Sequence, residues 1–519
     1  MANKSVFASI VGKLLPRPDV KNHEGAPAYG LTPRHKLAQL AATGTLNQTF
    51  YAEAREQLDE ITRLLPEIEP EFMAKTAIYA REKGFMKDMP ALLLAYLSMM
   101  QTEHFSLAFN RVVDNGKMLR NVVQILRSGA TGRKSLGTRP KRHVQLWLEN
   151  ASDREIMRAA VGNAPSLADV IKMVHPKPRS AERAALYGYL IGKPHDVSAL
   201  PEIVRDFEAF KADPTREVPD VPFQMLTALP LTKEHWIAIG RKAGWHMLRM
   251  NLNTFMRHKA FEDEAFTRFV ANRLGDEKAI RKAHVFPYQL MVAHAMASNA
   301  PPLIREALQD AMEIAVSNAP AVDGRVVICP DVSGSMSSPV TGFRRGATTA
   351  VRCIDVAALV AAAFLRANRH ARIIPFEQAV VEIDLNPRDT VLTNAAKLAS
   401  IGGGGTNCSA PLEKLVAEKA KVDLVVFVSD NESWVDADPN RHRGTAMMQN
   451  WQKLKAWNPK AKLVCIDIQP NTTTQAVEQA DILNIGGFSD TVFDTISAFH
   501  RGELTPDRWV GEIEKIVLE

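Results

Sequence analysis

A short apolar run that ends in oxygen-bearing side chains is the sequence feature that most constrains the fold. The letters VVICPDVSGSM begin with Val326–Cys329, which predict a strand buried on both faces of a sheet. Pro330 ends this run. Asp331, Ser333 and Ser335 are therefore expected on the loop at the carboxyl end of the strand, where open α/β sheets bind ligands. One carboxylate and two hydroxyls are oxygen ligands that suit Mg2+ or Mn2+ better than zinc.

Two further stretches supply oxygen-bearing side chains at corresponding places of the predicted sheet. The letters IGGGGTNCSAP place Thr406 on a loop in which four glycines allow close approach of the backbone. A second buried strand, Asp423–Val428, is followed by Ser429 and Asp430. Because the carboxyl ends of parallel strands meet at one edge of a sheet, we expect Thr406 and Asp430 to lie near Asp331.

The order of these three parts resembles the metal-ion-dependent adhesion site of von Willebrand factor A domains, over roughly residues 322–519. The resemblance implies that Mg2+, or another divalent cation such as Mn2+, is bound directly or through water by Asp331, Ser333, Ser335, Thr406 and Asp430. It also implies that an acidic group of a partner completes the octahedron. A lone DxSxS stretch would be weak support because Asp and Ser are common in turns. The alternative is a von Willebrand fold that has lost its metal.

The length and composition of the chain predict a soluble protein of at least two domains. Its 519 residues exceed what one hydrophobic core usually holds, and 46% hydrophobic with 24% charged residues is ordinary for a globular protein. No run of about 18 apolar residues occurs, so no membrane span is expected. The first residues do not predict a signal peptide, because Lys13 interrupts their short apolar stretch.

Cysteine usage predicts a reducing compartment. The four cysteines stand at positions 329, 353, 408 and 465. Two of them, Cys329 and Cys465, fall inside predicted buried strands, where a free thiol packs as a small hydrophobic group. We therefore expect reduced thiols and a cytoplasmic location.

The two parts of the chain differ in the pattern of their predicted elements. Residues 50–318 are helical nearly throughout, in short segments separated by breakers such as Gly84 and Pro165. Paired short helices that cannot bury their own apolar faces predict an all-α solenoid. From residue 322 onward strands alternate with helices, which predicts a doubly wound parallel sheet. The expected fold class is therefore multidomain, an all-α solenoid followed by an α/β domain.

Positive charge is concentrated in the amino-terminal part of the chain. Residues 1–320 carry 43 Lys plus Arg against 34 acids, whereas residues 321–519 carry 21 against 24. Within His104–Leu148 there are nine basic residues and one acid. The stretch Arg127–Arg142 has six cations and no carboxylate, and its Gly, Thr and Pro predict a loop. Such a loop is expected to bind the phosphates of a polyanion, and the alternative is a solvated turn.

Together the two parts resemble TROVE-domain proteins, the bacterial orthologues of the Ro autoantigen. The resemblance rests on TRLLPEIEPEFMAKTAIYAREKG, on the basic stretch that runs into KRHVQLWLE, on DVIKMVHPKPRSAERAAL, and on DVSGSM and SDNESW. It implies a TROVE-like helical RNA-binding domain at residues 27–320 and a von Willebrand factor A-like domain at residues 322–519. It also implies that HEAT-like helical repeats form a ring, which the second domain closes.

The resemblance further implies a non-catalytic ribonucleoprotein scaffold for RNA quality control or processing. Proteins of this family hold single-stranded 3′ ends of misfolded RNAs in the hole of the ring and bind structured Y RNAs on its rim. Some bacterial members work with exoribonucleases. The basic loop and the positions that match the family's RNA-contacting surface give the candidate RNA-binding residues Arg133, Lys134, Arg139, Lys141, Arg142, Arg158, Lys172, His175, Lys177 and Arg179.

Two other functions remain open on the sequence alone. One is a metal-dependent protein-binding module without RNA function, whose helical part binds acidic proteins. The other is a metal-dependent RNA hydrolase, although Ser333 and Ser335 lack the GxSxG turn of a hydrolase and residues 129–135 do not satisfy the P-loop pattern. We expect no enzyme. His175 has an alternative of its own, a helix-end histidine that hydrogen-bonds carbonyl groups instead of RNA.

Overall fold

The computed structural model describes residues 15–44, 46–283, 285, 287–317, 319, 321–343, 351–435, 444–487, 490–504 and 508–519. These residues form two compact units. The first takes in the described residues of Met1–Ile68, Phe286–Val292 and Met312–Lys515, and the second those of Glu69–Val285, Ala293–Ala311 and Ile516–Glu519. In the part of the chain that is described, every helix is too short or too polar to span a lipid bilayer.

The amino-terminal residues of the first unit form two short strands and two helices. Their bounds are β1 Val20–Lys21, β2 Pro27–Gly30, α1 Pro33–Thr43 and α2 Ala54–Leu64. Thr32 begins α1 by accepting a hydrogen bond from the backbone N–H of His35, and Pro33 occupies the first helical turn. The sequence patterns predict neither strand, because strands of two and four residues are too short to show a period.

The second unit is helical. Its helices are α3 Pro70–Glu82, α4 Asp88–Leu97, α5 His104–Val112, α6 Gly116–Ser128, α7 Thr138–Asn150, α8 Asp153–Ala159, α9 Leu167–Val174, α10 Ala181–Ile191, α11 Glu202–Ala212, α12 Phe223–Leu226, α13 Lys233–Lys242, α14 Trp245–Met250, α15 Leu252–Arg257, α16 Glu264–Leu274 and α17 Glu277–Ala283. Two further helices, α18 Pro287–Met296 and α19 Pro302–Ala315, contain residues of both units.

Local signals set the ends of these helices, and packing between neighbours stabilises them. Asn115 accepts two backbone hydrogen bonds at the start of α6, and Gly129 ends that helix with a φ of 85°. Ser152 and Ser166 form capping boxes at the starts of α8 and α9. Helix α3 packs against α4 and α5, and α4 packs against α6. Successive short helices thus bury one another's apolar faces, which confirms the predicted helical region.

The sequence predicts Asp88 as the amino-terminal cap of a helix over Met89–Met100, and the structure does not show this cap. Asp88 is the first residue of the helix, and Lys87 occupies the position before it. The Asp88 carboxylate instead accepts a hydrogen bond from Nδ2 of Asn121 at 3.1 Å. The Asp88 carboxylate is thus hydrogen-bonded to a residue 33 positions away, whereas the local sequence pattern predicts that it caps the backbone of its own helix.

The predicted basic loop is shorter in the structure than in the sequence analysis. Arg127 lies in the last turn of α6, and α7 begins at Thr138, so that the loop spans only residues 129–137. Arg142 is therefore on a helix. The sequence analysis misses the start of α7 because Gly and Pro residues are typical of loops. Pro140 is compatible with the helix, since the first turn of a helix tolerates proline.

The carboxyl-terminal part of the first unit alternates strands and helices as predicted. Its elements are β3 Val326–Pro330, α20 Cys353–Ala367, β4 Arg372–Ile373, α21 Val391–Ala399, α22 Ala410–Ala417, β5 Leu424–Ser429, α23 Ala446–Lys455, β6 Lys462–Asp467, β7 Thr473–Thr474, β8 Ile482–Gly486, α24 Asp490–Arg501 and α25 Arg508–Glu514.

Five of these strands form a parallel sheet in the order β4–β3–β5–β6–β8. Every residue of β3, β5 and β8 is buried, which explains the continuous apolar runs in the sequence. Residues Cys353–Leu365 of α20 are likewise buried, except Asp355, which is partly exposed. The structure thus confirms a helical region followed by an α/β domain with a parallel sheet, while closure of the helices into a ring remains a prediction.

The register of the sheet brings the predicted metal-site residues to one edge. Pro330 of β3 pairs with Val428 of β5, and Ser429 of β5 pairs with Asp467 of β6. Because adjacent parallel strands end level with one another, Asp331 and Asp430 follow neighbouring strand ends. A second, three-stranded sheet in the order β1–β2–β7 joins the amino-terminal strands to the same unit.

Candidate metal centre and nucleic-acid interface

Asp331 stands directly after β3 and is held by hydrogen bonds at both carboxylate oxygens. Its backbone N–H donates to the carbonyl of Val428 at 3.0 Å, which continues the pairing of β3 with β5. Oδ1 accepts from the backbone N–H of Ser333 at 2.9 Å, and Oδ2 accepts from the hydroxyl of Ser429 at 2.6 Å. Two donors therefore fix the orientation of a carboxylate that is fully buried.

The two serines of the DxSxS stretch lie beside this carboxylate. Ser333 precedes a short 3₁₀ helix, Gly334–Ser337, which contains Ser335. The tight turn places Oγ of Ser333 and Oγ of Ser335 3.3 Å apart, within hydrogen-bonding distance. Both side chains are buried.

The glycine loop is hydrogen-bonded to the DxSxS loop through its backbone. Gly403 donates its N–H to the carbonyl of Val332 at 3.2 Å, and Gly334 donates to the carbonyl of Gly404 at 3.1 Å. Gly403 and Gly404 have φ values of 134° and 68°, which side-chain-bearing residues rarely adopt. This close approach explains the glycines, and it carries the buried Thr406 to the same edge of the sheet.

Asp430 completes the predicted set at the end of β5. Its Oδ1 accepts a hydrogen bond from the backbone N–H of Glu432 at 3.3 Å, and its carbonyl accepts from Nδ2 of Asn471. The next residue, Asn431, has a φ of 58°, a conformation that Asn tolerates better than most residues. The chain turns sharply here, so the buried Asp430 side chain remains at the strand end.

The electrostatics of the site favour a cation. Burial, followed by the nearby charge of Asp430, raises the pKa of Asp331 to about 7. Burial also raises the pKa of Asp430. Two close carboxylates removed from water repel each other when ionised, and a divalent cation between them would offset both charges.

The donor set is the one that a hard divalent cation prefers. Two carboxylates and three hydroxyls are all oxygen ligands. The described residues contain no group of three or more His, Cys, Asp or Glu placed to hold a metal ion, so a zinc-type cluster is absent from that part of the chain. Together with the raised pKa values of the buried carboxylates, the residues present fit Mg2+ or Mn2+.

Amino-terminal residues that the sequence analysis does not predict also belong to this site. The Tyr51 hydroxyl lies close enough to Ser335 and Asp430 to interact electrostatically with both. The backbone N–H of His23 donates to Oε2 of Glu432 at 2.8 Å. Burial, and then the charge of Asp430, raises the pKa of Glu432 to about 8. These contacts span about 280 to 410 residues of sequence, so no local motif predicts them.

The predicted basic loop contributes to an open cleft in the second unit. The cleft has a volume of about 720 Å³, and one wall is the first turn of α7. Its lining residues are Arg127, Lys134, Ser135, Leu136, Gly137, Thr138, Lys141, Arg142, Gln145 and Met173. Four of these are cations and none is a carboxylate, so the cleft is a positively charged surface. Gln145 and Met173 were not among the predicted residues, since neither type marks a phosphate site in a sequence.

Arg139, which was predicted to bind RNA, is instead hydrogen-bonded to carbonyl groups of the chain. Its guanidinium donates to the carbonyls of Leu97, Ser98 and Met100 at 3.2, 3.0 and 2.8 Å, and also to the carbonyl of Thr102. Burial, followed by the nearby charge of Arg133, lowers the pKa of Arg139. The donors of this guanidinium thus bind carbonyl groups within the chain, and Arg139 is not among the residues that line the cleft.

The other predicted RNA-binding residues lie at several places of the second unit. Arg133 donates to the carbonyl of Leu136 at 3.2 Å, inside its own loop. Arg179 forms an ion pair with Glu149 at 2.8 Å, although its side chain is largely exposed. Lys172 and Lys177 are exposed. Arg158 lines a separate cleft of about 300 Å³ together with residues that include Pro219 and Lys242.

His175 ends helix α9. Its φ is 50°, and its backbone N–H donates to the carbonyl of Ile171 at 2.9 Å, so the predicted helix-end position is confirmed. The side chain itself is exposed. A position at the helix end is common to both interpretations of His175, so its contact with RNA stays a prediction.

The chain is similar to known proteins over nearly its whole length. It is 24% identical to the RNA-binding protein RO60 of Deinococcus radiodurans over 523 aligned residues, which cover 93% of this chain and 96% of that protein. It is 21% identical to the RNA-binding protein RO60 of Caenorhabditis elegans over 47% of this chain and 38% of that protein.

Comparison with solved structures shows the same fold. The crystal structure of the Ro (RSR) protein of Deinococcus radiodurans matches with a TM-score of 0.62 at 21% sequence identity, over 91% of this chain and 100% of that chain. The family of the Ro60 vWA domain matches residues 325–500, the region that holds the parallel sheet. Those residues are thus similar to the Ro60 vWA domain, and the predicted resemblance of the chain to the Ro proteins is confirmed.

Proposed function

We propose that the protein is a non-catalytic scaffold that binds RNA through the basic cleft at α6, α7 and α9. The observation that carries this proposal is the cleft lining, in which Arg127, Lys134, Lys141 and Arg142 occur without a carboxylate. Cationic side chains of this kind replace the counterions that are condensed on the phosphates of a nucleic acid. The release of these counterions supplies most of the sequence-independent binding affinity.

The start of α7 adds backbone donors to the same wall. Gly137 precedes the helix, and no side chain caps its first N–H groups. Uncapped N–H groups and the positive end of the helix dipole favour an anion. Arg142 is 62% exposed and has only a weak ion pair with Glu149 at 3.9 Å, so its guanidinium is available to a phosphate.

The names of the two relatives support RNA over other polyanions, since both are RNA-binding proteins. The bound RNA in this proposal is misfolded or structured non-coding RNA, such as a Y-like RNA or a single-stranded 3′ end. Lys172, His175, Lys177 and Arg179 extend the proposed surface beyond the cleft. An exoribonuclease partner and a ring closed by the vWA domain belong to the same proposal.

The proposal includes a Mg2+ ion, or Mn2+ in its place, at the edge of the parallel sheet. Asp331 and Asp430 would hold it with Ser333, Ser335 and Thr406, directly or through water. When bound, the ion would neutralise the two buried carboxylates. Its role here is to stabilise the loops, because the cleft residues belong to the second unit and the metal residues to the first. Four free, buried cysteines support a cytoplasmic location.

A gel-shift titration tests the RNA proposal. One RNA hairpin with a single-stranded 3′ tail and the same hairpin without it are titrated at several salt concentrations. We expect tighter binding of the tailed RNA and an affinity that falls steeply with salt. Replacing Lys141 and Arg142 together with Ala should weaken binding and reduce the salt slope by about 0.7–0.9 for each lost contact.

The matched control removes two cations from exposed helix pairs elsewhere. Arg55 pairs with Asp59 and Arg268 with Glu264, each one helical turn away. The double change Arg55→Ala, Arg268→Ala alters the net charge equally and should leave the slope unchanged. If both double variants changed the slope alike, net charge alone would explain binding. If folded protein bound neither hairpin, the RNA proposal would be abandoned.

A further inference from the structure

The predicted metal ligands are covered by the chain itself. Asp331, Ser333, Thr406 and Asp430 are at most 2% exposed, and Ser335 is 7% exposed. A metal site that receives an acidic side chain from another molecule has to present an open face. The burial of all five residues indicates that this face is already occupied by other parts of the chain.

Tyr51 is the residue that lies over the site. Its hydroxyl lies close enough to Ser335 and Asp430, two of the five predicted ligands, to interact electrostatically with both. Its ring stacks on the ring of His23, with centroids 5.7 Å apart and planes 18° apart. His23 is in turn attached to the metal-site loop, because its backbone N–H donates to Oε2 of Glu432.

The chain around Tyr51 is fixed on both sides. The backbone N–H of Phe343 donates to the carbonyl of Gln48 at 2.7 Å, and Nδ2 of Asn47 donates to the carbonyl of Thr341 at 3.0 Å. Nε2 of Gln57, in α2, donates to the carbonyl of Asn47 at 2.6 Å. The turn that presents Tyr51 is therefore held both to the stretch that follows the DxSxS loop and to its own next helix.

A second stretch completes the cover. Nδ2 of Asn22 donates to the buried carbonyl of Ser433 at 2.8 Å, while its Oδ1 accepts from the backbone N–H of Ala26 at 2.8 Å. The stretch thus makes a turn that is anchored just after Asp430. Residues 22–26 and 47–51 together form what we call the amino-terminal cover.

We infer that Tyr51 is a residue of the metal centre, and that the amino-terminal cover closes this centre to carboxylates from other molecules. The inference rests on the metal ion proposed above. It means that the acidic partner implied by the adhesion-site resemblance is replaced, in this chain, by an internal contact.

Charge balance gives the physical reason for a neutral group at this place. Asp331 and Asp430 together carry two negative charges, which one divalent cation balances. Glu432 is already a third buried carboxylate next to Asp430, and a carboxylate from another molecule would add further negative charge to a buried volume, which is costly. A phenol hydroxyl adds no charge and can still hydrogen-bond with both a serine and a carboxylate.

The test loads the full chain with Mn2+ and uses acetate as the probe. Calorimetry measures Mn2+ affinity, and water-proton relaxation measures whether acetate displaces water from the bound Mn2+. In the wild-type protein we expect acetate to leave the relaxation unchanged. In Tyr51→Ala it should lower the relaxation in a saturable manner, while Mn2+ affinity changes by less than about tenfold, since a neutral hydroxyl is lost and all five predicted ligands remain.

Two further variants keep the test decisive. Tyr51→Phe retains the stacked ring and should show the acetate effect at higher concentration, which serves if Tyr51→Ala does not fold. Met250→Ala changes an apolar side chain of the second unit that is 71% exposed, and this variant should behave as the wild type. An equal acetate effect in wild-type protein and Tyr51→Ala would overturn the inference alone. Absence of Mn2+ binding in the wild type would overturn the proposed metal as well.

Discussion

At the scale of single residues, the main feature is a pair of carboxylates that the fold buries at neighbouring strand ends. Asp331 receives hydrogen bonds from Ser333 and Ser429, yet burial and the charge of Asp430 still raise its pKa to about 7. Hydrogen bonding to the charged form therefore does not offset the loss of water. A bound cation would stabilise the ionised form of this carboxylate, which the two hydrogen bonds alone do not do sufficiently.

This imbalance predicts how Asp331→Asn behaves. The substitution keeps the shape of the side chain and removes its charge. We expect Mg2+ to raise the unfolding temperature of the wild-type protein, with a stabilisation of about 2.7 kcal/mol when free Mg2+ exceeds the Kd a hundredfold. In Asp331→Asn the rise should be lost. In EDTA the variant should be at least as stable as the wild type, because one unbalanced buried charge is gone. Thermal unfolding measures both.

The control for this prediction is Asp384→Asn. Asp384 is exposed and lies in the same unit, so its substitution changes the net charge equally without touching the site. An equal response to Mg2+ in wild-type protein and Asp331→Asn would show that the ion binds elsewhere or not at all.

The sequence predicts some residues of this site and not others for a clear reason. Asp331, Ser333 and Ser335 are close in sequence, and Asp430 follows a strand whose apolar run is unmistakable. Tyr51 and Glu432 meet at the site only through the packing of residues about 380 apart. No periodicity or motif records such a contact, so the cover of the site becomes visible only in the folded chain.

At the scale of elements, Arg139 connects two helices. Leu97 is the last residue of α4, and the carbonyls at the end of a helix have no partner within it. Arg139, in the first turn of α7, donates to carbonyls in this region, and its guanidinium lies 5.1 Å from the centre of the Phe105 ring. The side chain therefore acts as a cap for a helix distant in sequence.

This geometry predicts opposite phenotypes for two neighbouring arginines. Arg139→Ala leaves several half-buried carbonyls without a donor and should lower the free energy of unfolding by about 1–3 kcal/mol. Arg142→Ala removes an exposed cation and should change stability by less than about 0.5 kcal/mol. It should instead reduce the salt slope of RNA binding by about 0.7–0.9. Urea unfolding and gel shifts measure the two effects.

The reverse pattern would contradict the assignment. If Arg139→Ala were as stable as the wild type and reduced the salt slope, its guanidinium would be released from the carbonyls to bind phosphate. The original prediction from the sequence would then be right. Each variant serves as the control of the other, since both remove one arginine from the same turn of α7.

Elements differ in how far the sequence predicts them. The long apolar runs of β3, β5 and β6 identify buried parallel strands, and the breakers within residues 50–318 predict a series of short helices, as the structure has them. The start of α7 is missed because Gly137 and Pro140 are typical of loops, although here they precede and begin a helix. Strands β1 and β7, of two residues each, carry no pattern.

At the scale of the whole molecule, sequence order and compact units do not coincide. Residues 27–68 precede the long helical region, yet they pack in the unit that holds the parallel sheet, where β2 pairs with β7. The sequence division at residues 320–322 follows the change from helical to alternating patterns. It carries no information on which unit a short preceding segment joins, since that depends on contacts hundreds of residues apart.

The assignment of the two sites to different units leads to a prediction for the whole protein. All residues that line the basic cleft belong to the second unit, and all predicted metal ligands belong to the first. Changes at sites without shared residues usually have additive effects. EDTA, or Asp331→Asn, should therefore leave RNA affinity and its salt slope unchanged in the tailed-hairpin titration. Lys141→Ala with Arg142→Ala should in turn leave the Mg2+-dependent rise in unfolding temperature unchanged.

Combining the variants makes this prediction quantitative. The triple variant combines Asp331→Asn with Lys141→Ala and Arg142→Ala. It should lose as much RNA affinity as the double cleft variant and as much Mg2+ stabilisation as Asp331→Asn alone. The coupling free energy between the two sites should lie within about 0.5 kcal/mol of zero. Loss of RNA binding on chelation, restored by Mg2+, would instead mean that the ion takes part in holding RNA. In that case the metal centre would be a second determinant of RNA affinity, and its role in stabilising the loops would be only part of its function.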